Sequence, residues 1–115
     1  MQVLALLALS SLASGANADG TCALAAQVRE DIRPDLCAMP ADVQALVERQ
    51  ETCEHFAGEE PYDDARRREL ASAIARYCTG NEKRASALLE RHRRDARITR
   101  WLRDYLREAG LEPMP

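Results

Sequence analysis

The sequence predicts a small all-α protein, a bundle of four to five short helices held together by two disulfides. Apolar residues recur at helical spacing along most of the chain. Prolines and glycines fall between these segments, where they end one helix or begin the next. Four cysteines, an even number, occur in a chain of only 115 residues. A domain of this length buries a limited core, so covalent cross-links would add stability that packing alone supplies poorly.

The first eighteen residues have the features of a cleavable export signal. The stretch Val3–Ala13 is apolar and uncharged, and as a helix it would span about 16 Å, too short to cross a bilayer. Ala16-Asn17-Ala18 fits the small-residue cleavage pattern, although no Lys or Arg precedes the apolar stretch. We therefore predict a signal peptide over residues 1–18 and one helical domain over residues 19–115, located in the periplasm or secreted.

The first two predicted helices lie before residue 59. One covers about Thr21 to Ile32, with Thr21 as its N-cap and Pro34 as its stop. The next begins at Pro40, a residue suited to the first turn of a helix, and ends at Gly58. Its apolar side chains form one stripe at helical spacing: Val43, Leu46, Val47, Cys53 and Phe56.

The third predicted helix begins at Pro61 and closes at Thr79-Gly80-Asn81. Asp63 and Asp64 lie in its first turn, where the helix dipole favours anions. The apolar residues follow the i, i+3, i+4, i+7, i+8 pattern of an amphipathic helix: Leu70, Ala73, Ile74, Tyr77 and Cys78.

The segment from Glu82 to Ala109 predicts two helices rather than one, because its apolar face moves. A first stripe contains Ala85, Leu88, Leu89 and His92. A second begins at Ile98, about 230° around the helix, and continues through Trp101, Leu102, Tyr105 and Leu106. A break near Arg94-Asp95, with Asp95 capping the last helix, resolves the conflict. We expect His92 to be partly buried and hydrogen-bonded, and Trp101 and Tyr105 to pack in the core rather than form an exposed aromatic anchor.

The cysteines predict two disulfides. Cys22, Cys37, Cys53 and Cys78 all follow the predicted leader, and an oxidising compartment would pair them. They include no C-x₂-C pair, which disfavours a zinc site. Cys22–Cys37 is sterically feasible, and Cys53–Cys78 would then be the second bridge. A tight hairpin about Gly58–Pro61 would instead favour Cys22–Cys53 with Cys37–Cys78, so the residues alone leave the connectivity open.

Charge is divided unevenly between the two halves of the predicted mature chain. From Asp19 to Asp64, twelve acidic and three basic residues give −9; from Ala65 to Pro115, seven acidic and thirteen basic residues give +6. Either the halves complement each other in the folded bundle, or a basic surface receives an acidic partner. The basic candidates are Arg66, Arg67, Arg68 and the Arg91–Arg100 segment. The acidic total and the predicted export disfavour nucleic acid as a partner.

The segment His55–Asp64 is the densest cluster of polar side chains. His55, Glu59, Glu60 and Asp63 are weak candidate ligands for a divalent metal such as zinc or calcium, but their spacing matches no known metal-binding loop. The acids would otherwise cap a helix, while His55 and Tyr62 fix the turn by hydrogen bonds. A third interpretation is a partner-binding surface, whose candidates are His55, Tyr62, Arg66, Arg67 and Arg68.

The segment CEHFAGEEPYDDARRRELASAIARYC resembles a signature, C-x-H-[FW]-x-G-E-x-x-Y-D followed by R and C, of a family of small Gram-negative bacterial proteins that mostly carry signal peptides. The resemblance covers about Cys53 to Tyr105. It implies a periplasmic, helical, disulfide-bonded protein, and it brings no activity, substrate or catalytic residue. Proteins with this signature often have the cysteines matching Cys53 and Cys78 as their only pair. The resemblance therefore favours Cys53–Cys78, with Cys22–Cys37 as the second bridge.

These observations together predict a non-enzymatic periplasmic protein that binds another protein or an envelope component and needs no cofactor. A divalent-metal-binding protein using the His55–Asp64 segment is the alternative, and a cell-wall hydrolase is a remote one. Ser72 and Ser86 lie in predicted helices without a nucleophile-elbow motif, and the cysteines are expected to be oxidised. Short helices also offer little room for a glycosidase cleft between two carboxylates. The oligomeric state stays open, and we predict no membrane span in the mature chain.

Overall fold

A computed structural model of the protein describes residues 22–112, and within that range the fold is entirely helical. A short 3₁₀ turn at Glu30–Ile32 leads into five α-helices: α1 (Arg33–Cys37), α2 (Ala41–Ala57), α3 (Asp64–Cys78), α4 (Asn81–Arg91) and α5 (Ala96–Glu108). The all-α class is confirmed. None of the helices in this part of the chain is long and apolar enough to cross a membrane. The predicted signal peptide and the Thr21 cap lie outside the described residues.

The predicted first helix is wrong. Residues 22–29 contain no helix, and the helical backbone begins at Glu30 and continues through Pro34, where the sequence predicts a stop. Pro34 fits because it lies in the first turn of α1, where an amide N–H would have no intrahelical acceptor. The Arg33 guanidinium donates to the carbonyl oxygens of Val28 at 3.0 Å and Ala25 at 2.9 Å, so a side chain binds backbone groups that helical hydrogen bonds would otherwise satisfy.

The central helix α2 agrees with its prediction. It begins directly after Pro40 and ends before Gly58. Its stripe is buried at Val43, Leu46, Val47 and Cys53, whereas Phe56 is half-buried. This helix contacts α1, α3 and α4.

Helix α3 begins three residues later than predicted, at Asp64 instead of Pro61. Asp63 is its N-cap, and the Asp63 Oδ1 atom accepts a hydrogen bond from the Arg66 amide at 2.7 Å. On α3, which the structure describes completely, only Leu70 is buried. Gly80 then adopts a left-handed φ of 84° and directs the chain into α4.

The predicted break between the last two helices is confirmed. Asp95 caps α5, and its Oδ1 atom accepts hydrogen bonds from the amides of Arg97 and Ile98, both at 3.1 Å. The break lets the apolar stripes of both helices reach one core. That core contains Val28, Leu36, Met39, Val43, Leu46, Val47, Ala85, Leu88, Leu89, Ile98, Leu102, Tyr105 and Leu106.

The aromatic pair of α5 packs as predicted. Tyr105 is buried in the core, and the half-buried Trp101 packs against the same cluster. The two rings stack with their centroids 5.7 Å apart and their planes 4° from parallel.

The two disulfides join Cys22 to Cys37 and Cys53 to Cys78, the pairing that the resemblance favoured. The hairpin argument for the other pairing was wrong, because the connection 58–63 is not a tight hairpin. It allows the last residue of α3 to lie beside the last turns of α2, with 5.0 Å between the two Cα atoms. In the chain-entropy model a 15-residue loop such as that of Cys22–Cys37 contributes about 3 kcal/mol.

Candidate functional site

The sequence-predicted partner-binding residues lie on or beside the connection between α2 and α3. We call His55, Tyr62, Arg66, Arg67 and Arg68 the turn surface. Tyr62 is 80% exposed, and among the described residues it is the one large hydrophobic side chain with such exposure. His55, Arg67 and Arg68 are also exposed, whereas Arg66 is half-buried.

Arg66 braces the turn and is not a free cation. Its Nε and Nη2 atoms donate to the two carboxylate oxygens of Glu59 at 2.9 and 2.7 Å, and Nη1 donates to Glu69 at 2.9 Å. This two-point geometry holds a guanidinium in one orientation. The hydrogen bonds from Arg66 lower the pKa of the Glu59 carboxyl below its ordinary value, and the two carboxylates raise the pKa of Arg66.

The neighbouring arginines differ in how free they are. Arg67 pairs with Asp64 at 3.1 Å, both side chains being largely exposed to solvent, so the pair adds little stability. The Arg68 side chain forms no hydrogen bond or ion pair within residues 22–112 and is exposed. Of the three arginines in a row, Arg68 therefore has the guanidinium most available to a partner.

Aromatic rings continue the exposed region along α2 and α3. The His55 ring lies edge-on to Phe56, with centroids 5.2 Å apart, and Phe56 stacks on Tyr77 at 5.9 Å. The Arg76 guanidinium lies 5.3 Å from the centre of the Tyr77 ring, within cation–π range. Phe56 and Tyr77 border an open hollow of about 490 Å³ beside α2.

The candidate metal ligands are not brought together. Glu59 is held by Arg66, and Asp63 caps α3, so both carboxylates already have partners. No group of three or more His, Cys, Asp or Glu side chains suited to a metal ion occurs in the described part of the chain. The geometry therefore supports the structural interpretation for Glu59 and Asp63, whereas the side chains of His55 and Tyr62 form no hydrogen bond among the described residues.

A cavity lined by carboxylates does occur, at a different place. Asp31, Asp104 and Glu108 surround a hollow of about 240 Å³ beside Trp101 and Tyr105. This volume is below that of ordinary ligand pockets. The three side chains are 71%, 66% and 70% exposed, so none has the dry surroundings that turn a carboxyl into a glycosidase acid.

The histidine predicted to be partly buried is hydrogen-bonded as expected. The His92 side chain is 17% exposed, and its Nε2 atom lies 3.0 Å from both oxygens of Asp42. Arg91 binds the same carboxylate at 2.9 Å. Burial acts to raise the pKa of Asp42, but the hydrogen bonds from Arg91 and His92 outweigh burial, and the pKa lies below its ordinary value.

A buried polar network on α2 was missed by the sequence analysis. Glu51 is 3% exposed and pairs with the Arg29 Nε atom at 3.0 Å. Gln50 accepts a hydrogen bond from Asn81 at 2.8 Å, and Asn81 in turn accepts one from Arg49 at 2.9 Å. The available signal was positional: residues 50 and 51 continue the i, i+7, i+8 stripe that starts at Val43, so polar residues there must be buried.

One buried side-chain atom near this network, the Tyr105 hydroxyl oxygen, has no hydrogen-bond partner among the described residues. Tyr105 lies inside the core. Burial, and then the negative charges of Glu51 and Glu54, raise the pKa of Tyr105. Burial also raises the pKa of Glu54, reinforced by the neighbouring negative charge of Glu51.

Ion pairs do join the acidic and basic halves of the chain, as the first interpretation of the charge division required. They include Asp42–Arg91, Glu59–Arg66 and Asp64–Arg67. Other arginines of the basic half, including Arg68, Arg84 and Arg100, are exposed. The halves therefore complement each other only in part, and basic surface is left over.

Comparison of the chain with models of protein families, with curated proteins and with solved structures found no match. The resemblance of the Cys53–Cys78 segment to a bacterial family stays a prediction, and function must be argued from the geometry of this chain.

Proposed function

We propose that the protein is a non-enzymatic binding protein of the periplasm that binds another protein or an envelope component through the turn surface. The observation that carries the proposal is the 80% exposure of Tyr62, six positions before Arg68, an exposed arginine whose guanidinium has no partner in the described residues. Tyrosine and arginine are the residue types that most often dominate binding energy at protein interfaces.

The rigidity of the turn supports the same proposal. The turn is held by the Glu59–Arg66–Glu69 bridge, by the Asp63 cap and by the Cys53–Cys78 disulfide. A surface that is already ordered loses less conformational entropy on binding, so more of the contact energy becomes affinity. Such bracing stabilises the fold and at the same time keeps the turn surface ordered for a partner.

The predicted location is supported by the cysteine chemistry. The cysteines of the chain are paired in two disulfides, and such bonds persist in oxidising compartments outside the cytoplasm. The apolar leader predicted for residues 1–18 and the resemblance to periplasmic proteins favour the periplasm in particular.

The proposal is tested by affinity capture followed by measurement of the isolated interaction. The oxidised protein is immobilised, exposed to envelope extract of its native host, and the captured component is purified and titrated by calorimetry. We expect Tyr62→Ala to weaken this binding about tenfold or more and Arg68→Ala to weaken it several-fold. Arg103→Ala, an exposed arginine on α5, is the matched control and should change the affinity less than twofold.

Two results would contradict the proposal. If the parent protein captures nothing that binds it in purified form, the binding function is wrong. If a component is captured but Tyr62→Ala and Arg68→Ala bind it as tightly as the control does, the function stands and the turn surface is the wrong place.

A further inference from the structure

Helices α2 and α4 lie antiparallel, with an open trough between them. At one end Asp42 contacts Arg91 at 2.9 Å, and at the other the Arg49 Nε atom contacts Asn81 at 2.9 Å. The trough has a volume of about 440 Å³, within the range of small-molecule sites. It lies on a different face of α2 from the turn surface, so a ligand in the trough would be independent of a partner on the turn surface.

The middle of the trough is apolar because small side chains face each other there. Ala45 on α2 and Ala87 on α4 are exposed. Leu46 and Leu88 line the trough beside them and are buried, with 4% and 6% of their surfaces exposed. The two alanines leave space that larger residues would fill. The result is a hydrocarbon-lined groove that is open to solvent.

The two ends of the trough differ in charge. At the Asp42 end, Arg91 and His92 share the Asp42 carboxylate, so positive charge there is largely neutralised. At the other end lie Arg49 and Arg84, and within residues 22–112 neither forms an ion pair with a carboxylate.

The positive charge at this second end stays available. Arg49 donates its hydrogen bonds to neutral oxygens only, the Asn81 side chain and the carbonyls of Arg76 and Thr79. The first turn of α4 is at the same end, where the helix dipole adds positive potential and Glu82 offsets part of it. Two guanidinium charges thus stand at one end of an apolar groove.

We propose that this trough binds a single-chain amphiphile with one anionic headgroup, of the fatty-acid type. The carboxylate would lie between Arg84 and Arg49, and the hydrocarbon chain would run over Ala45 and Ala87 towards Asp42. The seven-residue separation of Arg49 from Asp42 corresponds to about 10.5 Å of helix. Extended chains span about 1.2 Å per bond, so about eight or nine bonds fit, as in octanoate or decanoate. An acidic helix of a partner protein matches less well, because it would carry charge along its length and not at one end.

The test is a titration of the oxidised full domain with decanoate, followed by amide chemical shifts in a ¹⁵N–¹H spectrum. We expect saturable binding, with the largest shifts at Ala45, Arg84 and Ala87. Hexanoate, octanoate and decanoate should bind in increasing order of affinity, about two- to fourfold per added methylene. Decanol, which has the same chain and no charge, should bind at least about fivefold more weakly than decanoate.

Substitutions separate the headgroup contact from the chain contact. Arg84→Ala should weaken decanoate at least about fivefold at low salt and leave decanol unchanged, because it removes a charge and not the groove. Ala45→Gln, at an exposed helical position, should obstruct the groove and weaken both ligands. Arg100→Ala, an exposed arginine on α5, is the matched control and should change neither.

Several results would overturn the inference. Equal binding of decanol and decanoate, unchanged binding by Arg84→Ala, or shifts concentrated outside the trough would each do so. Self-association that Ala45→Gln abolishes would show that a second copy of the chain occupies the groove instead. Tighter binding of an acidic helical peptide than of decanoate at this face would assign the groove to a protein partner.

Discussion

The Arg29–Glu51 pair gives the most quantitative prediction for the folded state. Glu51 is almost wholly inaccessible, with a side chain 2% exposed, whereas the Arg29 side chain is 43% exposed. Removing Arg29 would leave the carboxylate buried without its counter-ion. Breaking a fully buried pair costs about 3–5 kcal/mol. Because solvent screens the outer half of this pair, we expect Arg29→Ala to lower the free energy of unfolding by about 2–3 kcal/mol.

The measurement is urea unfolding of oxidised protein at neutral pH, followed by circular dichroism. Glu51→Gln removes the buried charge, so the double variant Arg29→Ala/Glu51→Gln should be more stable than Arg29→Ala alone. Arg107→Ala, which breaks an exposed ion pair with Asp104, is the control and should lower the free energy of unfolding by less than about 1 kcal/mol. A double variant no more stable than Arg29→Ala would refute the reasoning, because the loss would then not come from a stranded charge.

Three further predictions concern the cross-links, acid stability and the core. Replacing Cys53 and Cys78 by alanine should lower the free energy of unfolding by about 3.5 kcal/mol, measured by denaturant titration; a loss below 1 kcal/mol would contradict the entropy argument. The lowered pKa of Asp42 contributes stability above the ordinary pKa of an aspartate, and this stability is lost as pH falls through the folded-state pKa. We therefore expect Asp42→Asn to lower the free energy of unfolding by about 1 kcal/mol at pH 7. In unfolding curves taken across pH, this loss should shrink below about pH 4, and a loss that stays constant would contradict the prediction. Tyr105→Phe removes a buried hydroxyl without a partner in the described residues, so its thermal midpoint should be unchanged or higher, and a clear drop would reveal a hydrogen bond to that hydroxyl.

The helices that were predicted well share one property: local signals marked at least one of their ends. Pro40 and Gly58 bound α2, and Asp95 caps α5, in each case through backbone geometry or hydrogen bonds within a few residues. The first predicted helix failed because Thr21 and Pro34 gave ambiguous local signals. The segment is held instead by Arg33 and by the Cys22–Cys37 bond.

At the candidate site, too, the sequence predicted some properties and left others to the tertiary structure. The sequence pointed to Tyr62 and to the run of arginines at 66–68, and the structure leaves Tyr62 exposed as a binding residue must be. The sequence could not distinguish Arg66, which Glu59 and Glu69 hold, from Arg68, which is free of such partners in the described residues. The three residues are identical in type, and only the path of the connection decides which of them meets a carboxylate.

The amino-acid sequence by itself determined that this protein is helical, roughly where α2 to α5 begin and end, and that its cysteines pair. These properties follow from periodicity, capping residues and composition, which act within one or two turns of the chain. Only the tertiary structure decided that Glu51 meets Arg29 and that Arg49 and Arg84 stand at one end of a groove. Those juxtapositions join residues separated by at least twenty positions, and they depend on how the helices pack, which no local interaction specifies.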